Sequence, residues 1–271
     1  MANIEASDGT IIEFEVHGSD AVASGPPVIL VHGITESSIT WAPVTERLAT
    51  HHQLITMDLR GHGRSATAER YDLEAMAGDV IAVAMATGVQ HPHLVGHSLG
   101  GAVVSAVGAA MPVTSIVNVD QSLQLGGFKE QLMPFADQLR DADAFPAIIE
   151  ALFGLLAGDA IAPAELERVN AARRPDQKVV LGVWDLILNS NLAEIADAVD
   201  AALAGYRGTT TPYLSLFGVD PGEAYGDWLA SRISGAITEV WPDHGHYPHL
   251  VDPDRFVTRL DAFWAGLAAG H

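Results

Sequence analysis

Short apolar segments alternate with longer segments in which apolar residues recur at helical spacing. Residues 28–31 (VILV) follow a Pro-Pro pair, and such a continuous run is typical of a strand buried on both faces of a parallel sheet. Similar strand patterns cover residues 10–17, 53–58, 93–95, 115–119, 213–217 and 237–241. Helical patterns cover residues 41–49, 73–87, 101–110 and 255–267. This alternation predicts an α/β fold with a mostly parallel central sheet and helices on both faces.

The pattern changes after residue 120. From 121 to about 208 the apolar residues recur only at helical spacing, and strand patterns return at residue 213. The sequence therefore predicts an α/β core formed by residues 1–120 and 209–271, interrupted by a helical cap insertion over residues 121–208.

Composition narrows the possible functions. The net charge is −20 and Lys129 and Lys178 are the only lysines, so binding to nucleic acid or to an anionic membrane surface is not expected. The chain has no cysteine, which excludes disulfides, thiolate metal sites and a cysteine nucleophile. No apolar run approaches the roughly 20 residues of a membrane span, and the first residues lack a signal-peptide pattern. A cytoplasmic location is the expectation, and no particular oligomeric state is predicted.

The pentapeptide Gly96-His97-Ser98-Leu99-Gly100 is the strongest chemical signal. It follows the strand pattern at 93–95 and opens the helical pattern at 101–110. A serine on such a strand–turn–helix elbow needs small neighbours, and the helix directs its amino-terminal amides towards a developing oxyanion. We therefore predict Ser98 as a nucleophile.

A loop after the last strand pattern carries the candidate base. Residues 243–249 include three histidines, of which His246 is placed to receive a proton from the elbow serine. A metal site would need more ligands at defined geometry, and nothing else in the sequence converges on this loop. We therefore expect no metal and no other cofactor.

Two aspartates could orient the base. Asp220 follows the strand pattern at 213–217, and Asp120 ends the pattern at 115–119. Either satisfies the chain order serine, aspartate, histidine, and either could hold the far nitrogen of His246. Asp220 is the preferred acid and Asp120 the alternative.

The loop at residues 32–35 follows the first buried strand, where a backbone amide could join the amide after the nucleophile in an oxyanion hole. The predicted donors are the N–H groups of Ile34 and Leu99.

Several motifs in order resemble the α/β-hydrolase superfamily, in its serine esterase-like branch with a helical cap. They are His32-Gly33 followed by Ser38 and Trp41, residues 58–65, residues 96–101, and Gly245-His246 followed by Asp252-Pro253. The resemblance implies Ser98 as nucleophile and selects His246 among the loop histidines. One feature departs from it: the family's acid stands three residues after the glycine that ends the penultimate strand, whereas Asp220 stands two after Gly218.

The predicted function is hydrolysis of small carboxylic esters, including lactones, through an acyl-enzyme on Ser98. Trp184, Phe128 and Leu132 are candidates for the acyl pocket or for the core beneath the insertion. Alternatives are carbon–carbon bond hydrolysis or cofactor-free perhydrolysis on the same triad, and a weakly catalytic ligand receptor.

Overall fold

An eight-stranded sheet forms the centre of the computed structural model, which describes residues 1–18 and 25–269. The strand order is β1-β2-β4-β3-β5-β6-β7-β8, with β1 and β2 antiparallel to their neighbours and the other strands parallel. The strands are β1 (Ala2–Glu5), β2 (Ile11–His17), β3 (Val28–Val31), β4 (Leu54–Met57), β5 (His93–His97), β6 (Ser115–Val119), β7 (Tyr213–Phe217) and β8 (Ile237–Val240). The predicted mostly parallel sheet is confirmed. The sequence pattern missed β1, which is short and largely exposed.

Helices connect the parallel strands, and seven of them lie between β6 and β7. The helices are α1 (Ala42–Leu48), α2 (Leu73–Ala86), α3 (Leu99–Ala110), α4 (Leu125–Leu132), α5 (Ala136–Arg140), α6 (Phe145–Ala157), α7 (Pro163–Ala172), α8 (Gln177–Val183), α9 (Asp185–Asn189), α10 (Leu192–Ala202), α11 (Tyr225–Ala230), α12 (Pro248–Val251) and α13 (Pro253–Ala269). Over the described residues, none of these helices combines the length and apolarity required to cross a membrane.

The central strands are buried on both faces. Val28 and Leu30 pack on one side of the sheet with α1 and α13, whereas Ile29 and Val31 pack on the other side with α2 and α3. All four side chains are fully buried, which explains the continuous apolar run in the sequence. Burial of each such side chain stabilises the fold by roughly 1.5–3 kcal/mol. The strands therefore form a rigid platform for the loops at their ends.

Helices α4, α5, α6, α8 and α9 carry an apolar cluster of their own, which we call the insertion core. It includes Leu132, Phe153 and Trp184, and it also contains Ile34 from the loop after β3. Leu99, at the start of α3, packs against the same cluster. The helical insertion therefore closes over the loops at the carboxyl ends of β3 and β5.

A buried ion pair fixes the loop at residues 58–65. Arg60 donates from Nε and Nη2 to the two carboxylate oxygens of Asp79 on α2, both at 2.7 Å. Its Nη1 donates to Asp8 at 2.8 Å. Because both members of the Arg60–Asp79 pair are buried, the pair ties this loop to helix α2.

Two buried histidines have pKa values well below that of a free histidine. His62 Nδ1 lies 2.8 Å from the Arg60 carbonyl oxygen, and His93 stacks on Trp264 with ring centroids 4.6 Å apart. Burial lowers the pKa of His62 to about 3 and that of His93 to about 4. Both rings are therefore neutral in the folded protein near neutral pH.

We expect acid to destabilise the protein through these two rings. In the unfolded chain they take up a proton near pH 6.5, so the unfolded state binds more protons as the pH falls below that value. Near pH 5 each ring should cost about 2 kcal/mol of the free energy of unfolding. Urea unfolding followed by circular dichroism near pH 7.5 and near pH 5 measures the difference.

The doubly substituted variant His62→Gln/His93→Gln should show a shallower pH dependence. The variant His91→Gln, in which an exposed histidine is changed, should keep the wild-type dependence. Equal free energies of unfolding at the two pH values in the wild type would contradict the assignment.

Candidate active site

A strained turn joins β5 to α3 at Ser98. Ser98 has φ 51° and ψ −124°, a backbone conformation that residues other than glycine rarely adopt. Holding it costs about 1–3 kcal/mol. Its N–H donates to the Val119 carbonyl at 2.9 Å, which ties the turn to the end of β6. The serine side chain is partly exposed at the end of the sheet, although its strand is buried.

Close backbone contacts explain the two glycines of the motif. A Cβ atom on Gly96 would lie 2.1 Å from the Gly100 carbonyl oxygen. A Cβ atom on Gly100 would lie 2.2 Å from the carbonyl oxygen of Val31, at the end of β3. Both distances are far below van der Waals contact, so only glycine fits at either position.

The loop after β3 lies directly against this turn. A Cβ atom on Gly33 would lie 3.2 Å from the Cβ of Ser98. Ile34, the predicted amide donor, follows Gly33, and Leu99, the second predicted donor, follows Ser98. Thr35 has φ 63°, which is unfavourable for a β-branched residue, and this conformation sets the direction of the loop.

His32 braces this loop from inside. Its Nε2 accepts the Leu59 N–H at 3.0 Å, so the proton lies on Nδ1, which donates to the Gly33 carbonyl at 2.7 Å. Desolvation in this fully buried position lowers the pKa of His32. The neutral ring is thus a structural link between the loop and β4.

A short hydrogen bond joins His246 to Asp120. Nδ1 of His246 lies 2.6 Å from Oδ2 of Asp120, and both side chains are largely buried. The other oxygen, Oδ1, accepts the N–H groups of Gly218 at 2.7 Å and Val219 at 3.1 Å. Because the carboxylate accepts all three hydrogen bonds, Nδ1 of His246 carries a proton and Nε2 of the neutral ring is a free base.

The structure does not bring Asp220 to His246, which corrects the preference drawn from the sequence. Oδ1 of Asp220 accepts the Gly222 N–H at 2.8 Å, and the side chain is exposed. The backbone after β7 turns its amides towards Asp120, and Gly218 packs so closely on Gly245 that a Cβ would lie 1.9 Å from the Gly245 carbonyl oxygen. The shortened spacing after Gly218 was the sequence signal for this difference.

His97, inside the pentapeptide, links the turn to the histidine loop. Its Nε2 donates to the His246 carbonyl at 2.8 Å, and the two rings lie 4.8 Å apart. The ring of His249 lies 4.6 Å from that of His97 and 4.6 Å from that of Trp41. The Nδ1 atom of His244 lies 2.9 Å from the Pro242 carbonyl oxygen. The three histidines of the loop therefore contact different groups.

A buried ionic network, formed by Glu36, His97, Arg173 and Tyr247, lies behind the turn. Oε2 of Glu36 lies 3.3 Å from Nδ1 of His97 and accepts the Gly33 N–H at 3.1 Å. Arg173 Nη2 lies 3.7 Å from Oε1 of Glu36 and donates to the Tyr247 hydroxyl at 2.6 Å. The two ring nitrogens of His97 thus face Oε2 of Glu36 and the His246 carbonyl oxygen, which ties the turn to both loops.

The charges in this network outweigh the cost of burial. Burial alone would raise the pKa of Glu36, but His97 and Arg173 stabilise its anion and hold the pKa well below its usual range. The sequence analysis missed this network because its members come from four separate segments of the chain. The only sequence signal was an acid shortly after His32-Gly33.

The three candidate pocket residues lie together in the insertion core. Phe128 and Trp184 meet edge to face, with ring centroids 5.7 Å apart, and Leu132 is fully buried in the same cluster. Ile34 belongs to this cluster and Leu99 packs against it. The apolar residues of the insertion therefore adjoin both predicted amide donors.

The sequence matches one family model, and several known proteins are similar to it in sequence or in structure. The profile of the Alpha/beta hydrolase family matches residues 28–259. N-formylmaleamate deformylase from Pseudomonas putida is 35% identical over 125 residues, which cover 44% of this chain and about half, 47%, of the deformylase. 2-(Acetamidomethylene)succinate hydrolase from Mesorhizobium japonicum is 28% identical over 243 residues and 85% of each chain. The structure of an esterase from a Rhodococcus species is 27% identical, with a TM-score of 0.73 over 98% of each chain.

The contrast between the two aspartates predicts opposite outcomes for matched variants. Asp120→Asn should lower kcat by about 10⁴-fold, because an amide no longer holds His246 in the tautomer with a free Nε2. Asp220→Asn should leave kcat unchanged. Steady-state kinetics of both variants, with circular dichroism to verify folding, measure this difference. The reverse result would identify Asp220 as the residue that acts on His246.

Removing the central charge of the buried network should destabilise the protein. Glu36→Gln leaves Arg173 and His97 without their counter-charge and should lower the free energy of unfolding by about 3 kcal/mol or more. The control Glu46→Gln changes an exposed glutamate on α1 and should have little effect. Urea titration of both variants provides the measurement, and equal stabilities would show that the network contributes no net stability.

Proposed function

The chain belongs to the Alpha/beta hydrolase family, and we propose that it is a hydrolase that cleaves carboxylic esters through an acyl-enzyme on Ser98. The observation that carries this proposal is the hydrogen bond of 2.6 Å between His246 and Asp120, beside the strained turn that bears Ser98. Nucleophile, base and orienting acid follow β5, β8 and β6, whose carboxyl ends meet at one edge of the sheet.

In the first half of the reaction, Nε2 of His246 takes the hydroxyl proton as Oγ of Ser98 attacks the ester carbonyl. Asp120 stabilises the imidazolium that forms and keeps the ring in place through Nδ1. The tetrahedral intermediate collapses when His246 gives its proton to the alcohol oxygen. The carbon–oxygen bond to the alcohol breaks, and the acyl group stays on Ser98.

In the second half, His246 takes a proton from water, which attacks the acyl-enzyme carbonyl. Collapse of the second intermediate returns the proton to Oγ of Ser98 and releases the carboxylic acid. Atoms and charge balance over the cycle, since one water is consumed for each ester cleaved.

The backbone N–H groups of Ile34 and Leu99 are the proposed oxyanion donors. Leu99 is the first residue of α3, and the first amides of a helix have no partner within the helix. The approach of Gly33 to Ser98 supports a position for the Ile34 amide on the same side. Each such donor contributes about 2.7–4 kcal/mol to stabilisation of the transition state.

We propose the helical insertion as a cap that covers the acyl group. The residues that adjoin Ile34 and Leu99 are apolar, and Phe128, Leu132 and Trp184 are among them. An apolar wall favours an uncharged acyl chain, and a lactone places the same carbonyl chemistry in a ring.

Cleavage of an N-acyl group is a second candidate. N-formylmaleamate deformylase and 2-(acetamidomethylene)succinate hydrolase resemble this chain, and their names describe substrates that carry an N-formyl group or an acetamido group. The same nucleophile and oxyanion donors would serve an amide carbonyl, with protonation of the leaving nitrogen by His246.

The test compares wild type, Ser98→Ala and Ser231→Ala on p-nitrophenyl esters from acetate to laurate. Ser98→Ala should lose at least about 10⁴-fold in kcat because no other group supplies the nucleophile. Ser231→Ala changes an exposed serine near the end of α11 and should retain full activity. Hydrolysis that survives in Ser98→Ala would rule out the acyl-enzyme.

A fluorophosphonate probe followed by peptide mass spectrometry should modify Ser98 in the wild type. Parallel assays with lactones, N-formyl and N-acetyl amides, and diketones separate the possible carbonyl substrates. Probe labelling at Ser98 without ester turnover would shift the assignment to whichever of these substrates is cleaved. Tight ligand binding without labelling or turnover would instead indicate a receptor.

A further inference from the structure

Two histidines and an aspartate meet beside the amino ends of the parallel strands, on the side of the sheet opposite to the strand ends that carry Ser98. His51 and His52 precede β4, and Asp261 lies on α13. Nε2 of His51 lies 3.1 Å from Oδ1 and 3.2 Å from Oδ2 of Asp261, and Nε2 of His52 lies 3.3 Å from the same Oδ1. The amino ends of parallel strands lie at this edge, whereas Ser98, Asp120 and His246 follow carboxyl ends. The cluster is therefore separate from the candidate active site.

The hydrogen bonds of Thr50 determine which nitrogen of His51 faces Asp261. The Thr50 hydroxyl donates its only proton to the Arg47 carbonyl at 2.7 Å. Thr50 Oγ1 is also 2.9 Å from Nδ1 of His51, so Nδ1 must be the donor in that contact. Nε2 of His51 therefore faces both carboxylate oxygens of Asp261, where either a proton on that nitrogen or a bound cation makes the contact favourable.

His52 adds a second ring, whose Nε2 lies 3.3 Å from Oδ1 of Asp261. Its ring packs edge-on against Trp264 at 5.0 Å, and its Nδ1 is buried without a hydrogen-bond partner. Nε2 is therefore the His52 nitrogen that faces the carboxylate and is placed to bind an ion shared with it.

We propose that Nε2 of His51, Nε2 of His52 and a carboxylate oxygen of Asp261 bind a divalent transition-metal ion of the zinc class. Ligand bonds of about 2.0–2.2 Å in a tetrahedral site place neighbouring ligand atoms about 3.3–3.6 Å apart. The two nitrogen–oxygen separations of 3.1 and 3.3 Å are close to that spacing, and all ligand atoms lie within 4.8 Å of one another. Imidazole and carboxylate together suit zinc, nickel or copper rather than magnesium or calcium.

The surroundings support such a site. The Thr50 hydroxyl holds the His51 ring through Nδ1, as an outer partner of a metal-bound histidine does. The side chains of His51 and Asp261 are about two-fifths exposed, so water can complete the coordination. The bound ion would join the segment before β4 to the closing helix α13, and its role is structural.

Zinc titration of the untagged, chelator-treated full chain by isothermal calorimetry tests the site. Wild type should bind one zinc ion per chain in a saturable manner. Asp261→Asn and His51→Gln should each lose that binding, and Thr50→Val should weaken it by about 10–100-fold. The control Asp254→Asn removes an exposed carboxylate from the same helix and should bind zinc as the wild type does.

Thermal unfolding provides a second readout, because an ion that binds only the folded chain raises Tm. Zinc should raise Tm of the wild type and of Asp254→Asn but not that of Asp261→Asn. No saturable binding by the wild type, or equal binding by the Asp261→Asn and Asp254→Asn variants, would overturn the proposal. Ester hydrolysis by Asp261→Asn should be unchanged, so the outcome is independent of the proposed function.

Discussion

The contact of three backbones at the Ser98 turn is the constraint on which the site depends. Strand β5, helix α3 and the end of β3 approach so closely that a single Cβ atom on Gly96 or Gly100 would overlap a carbonyl oxygen. This packing holds Ser98 at a positive φ and places Gly33 against it. The strain at Ser98 persists because the buried sheet on either side over-determines the turn.

The buried network of Glu36, His97, Arg173 and Tyr247 extends this constraint to the surrounding loops. It joins the loop after β3, the turn after β5, the histidine loop after β8 and the end of α7 in the insertion. Each charge has an opposite charge within the network, which is why four polar side chains tolerate burial there. Movement of the insertion at Arg173 would therefore disturb the loop that carries Ile34, the residue proposed as an oxyanion donor.

The two ends of the parallel strands carry different groups of polar side chains. At the carboxyl edge, strained residues and loops converge on Ser98, Asp120 and His246. At the amino edge, His51 and His52 meet Asp261 of the closing helix, where the polar groups join chain segments distant in sequence. Family membership follows from the match over residues 28–259, whereas the proposed preference for an uncharged acyl group rests on the apolar insertion.

Local patterns in the sequence predict the parallel sheet, the helices between residues 121 and 208 and the turn at Ser98. Apolar periodicity distinguishes strand from helix, and glycines two residues either side of Ser98 are a steric requirement. Which aspartate bonds His246 depends instead on packing, because the ends of β6 and β7 are neighbours across the sheet and the chain after Gly218 presents amides rather than a carboxylate. The same holds for the pairing of Glu36 with His97 and Arg173, since contacts between distant segments depend on packing that no local pattern records.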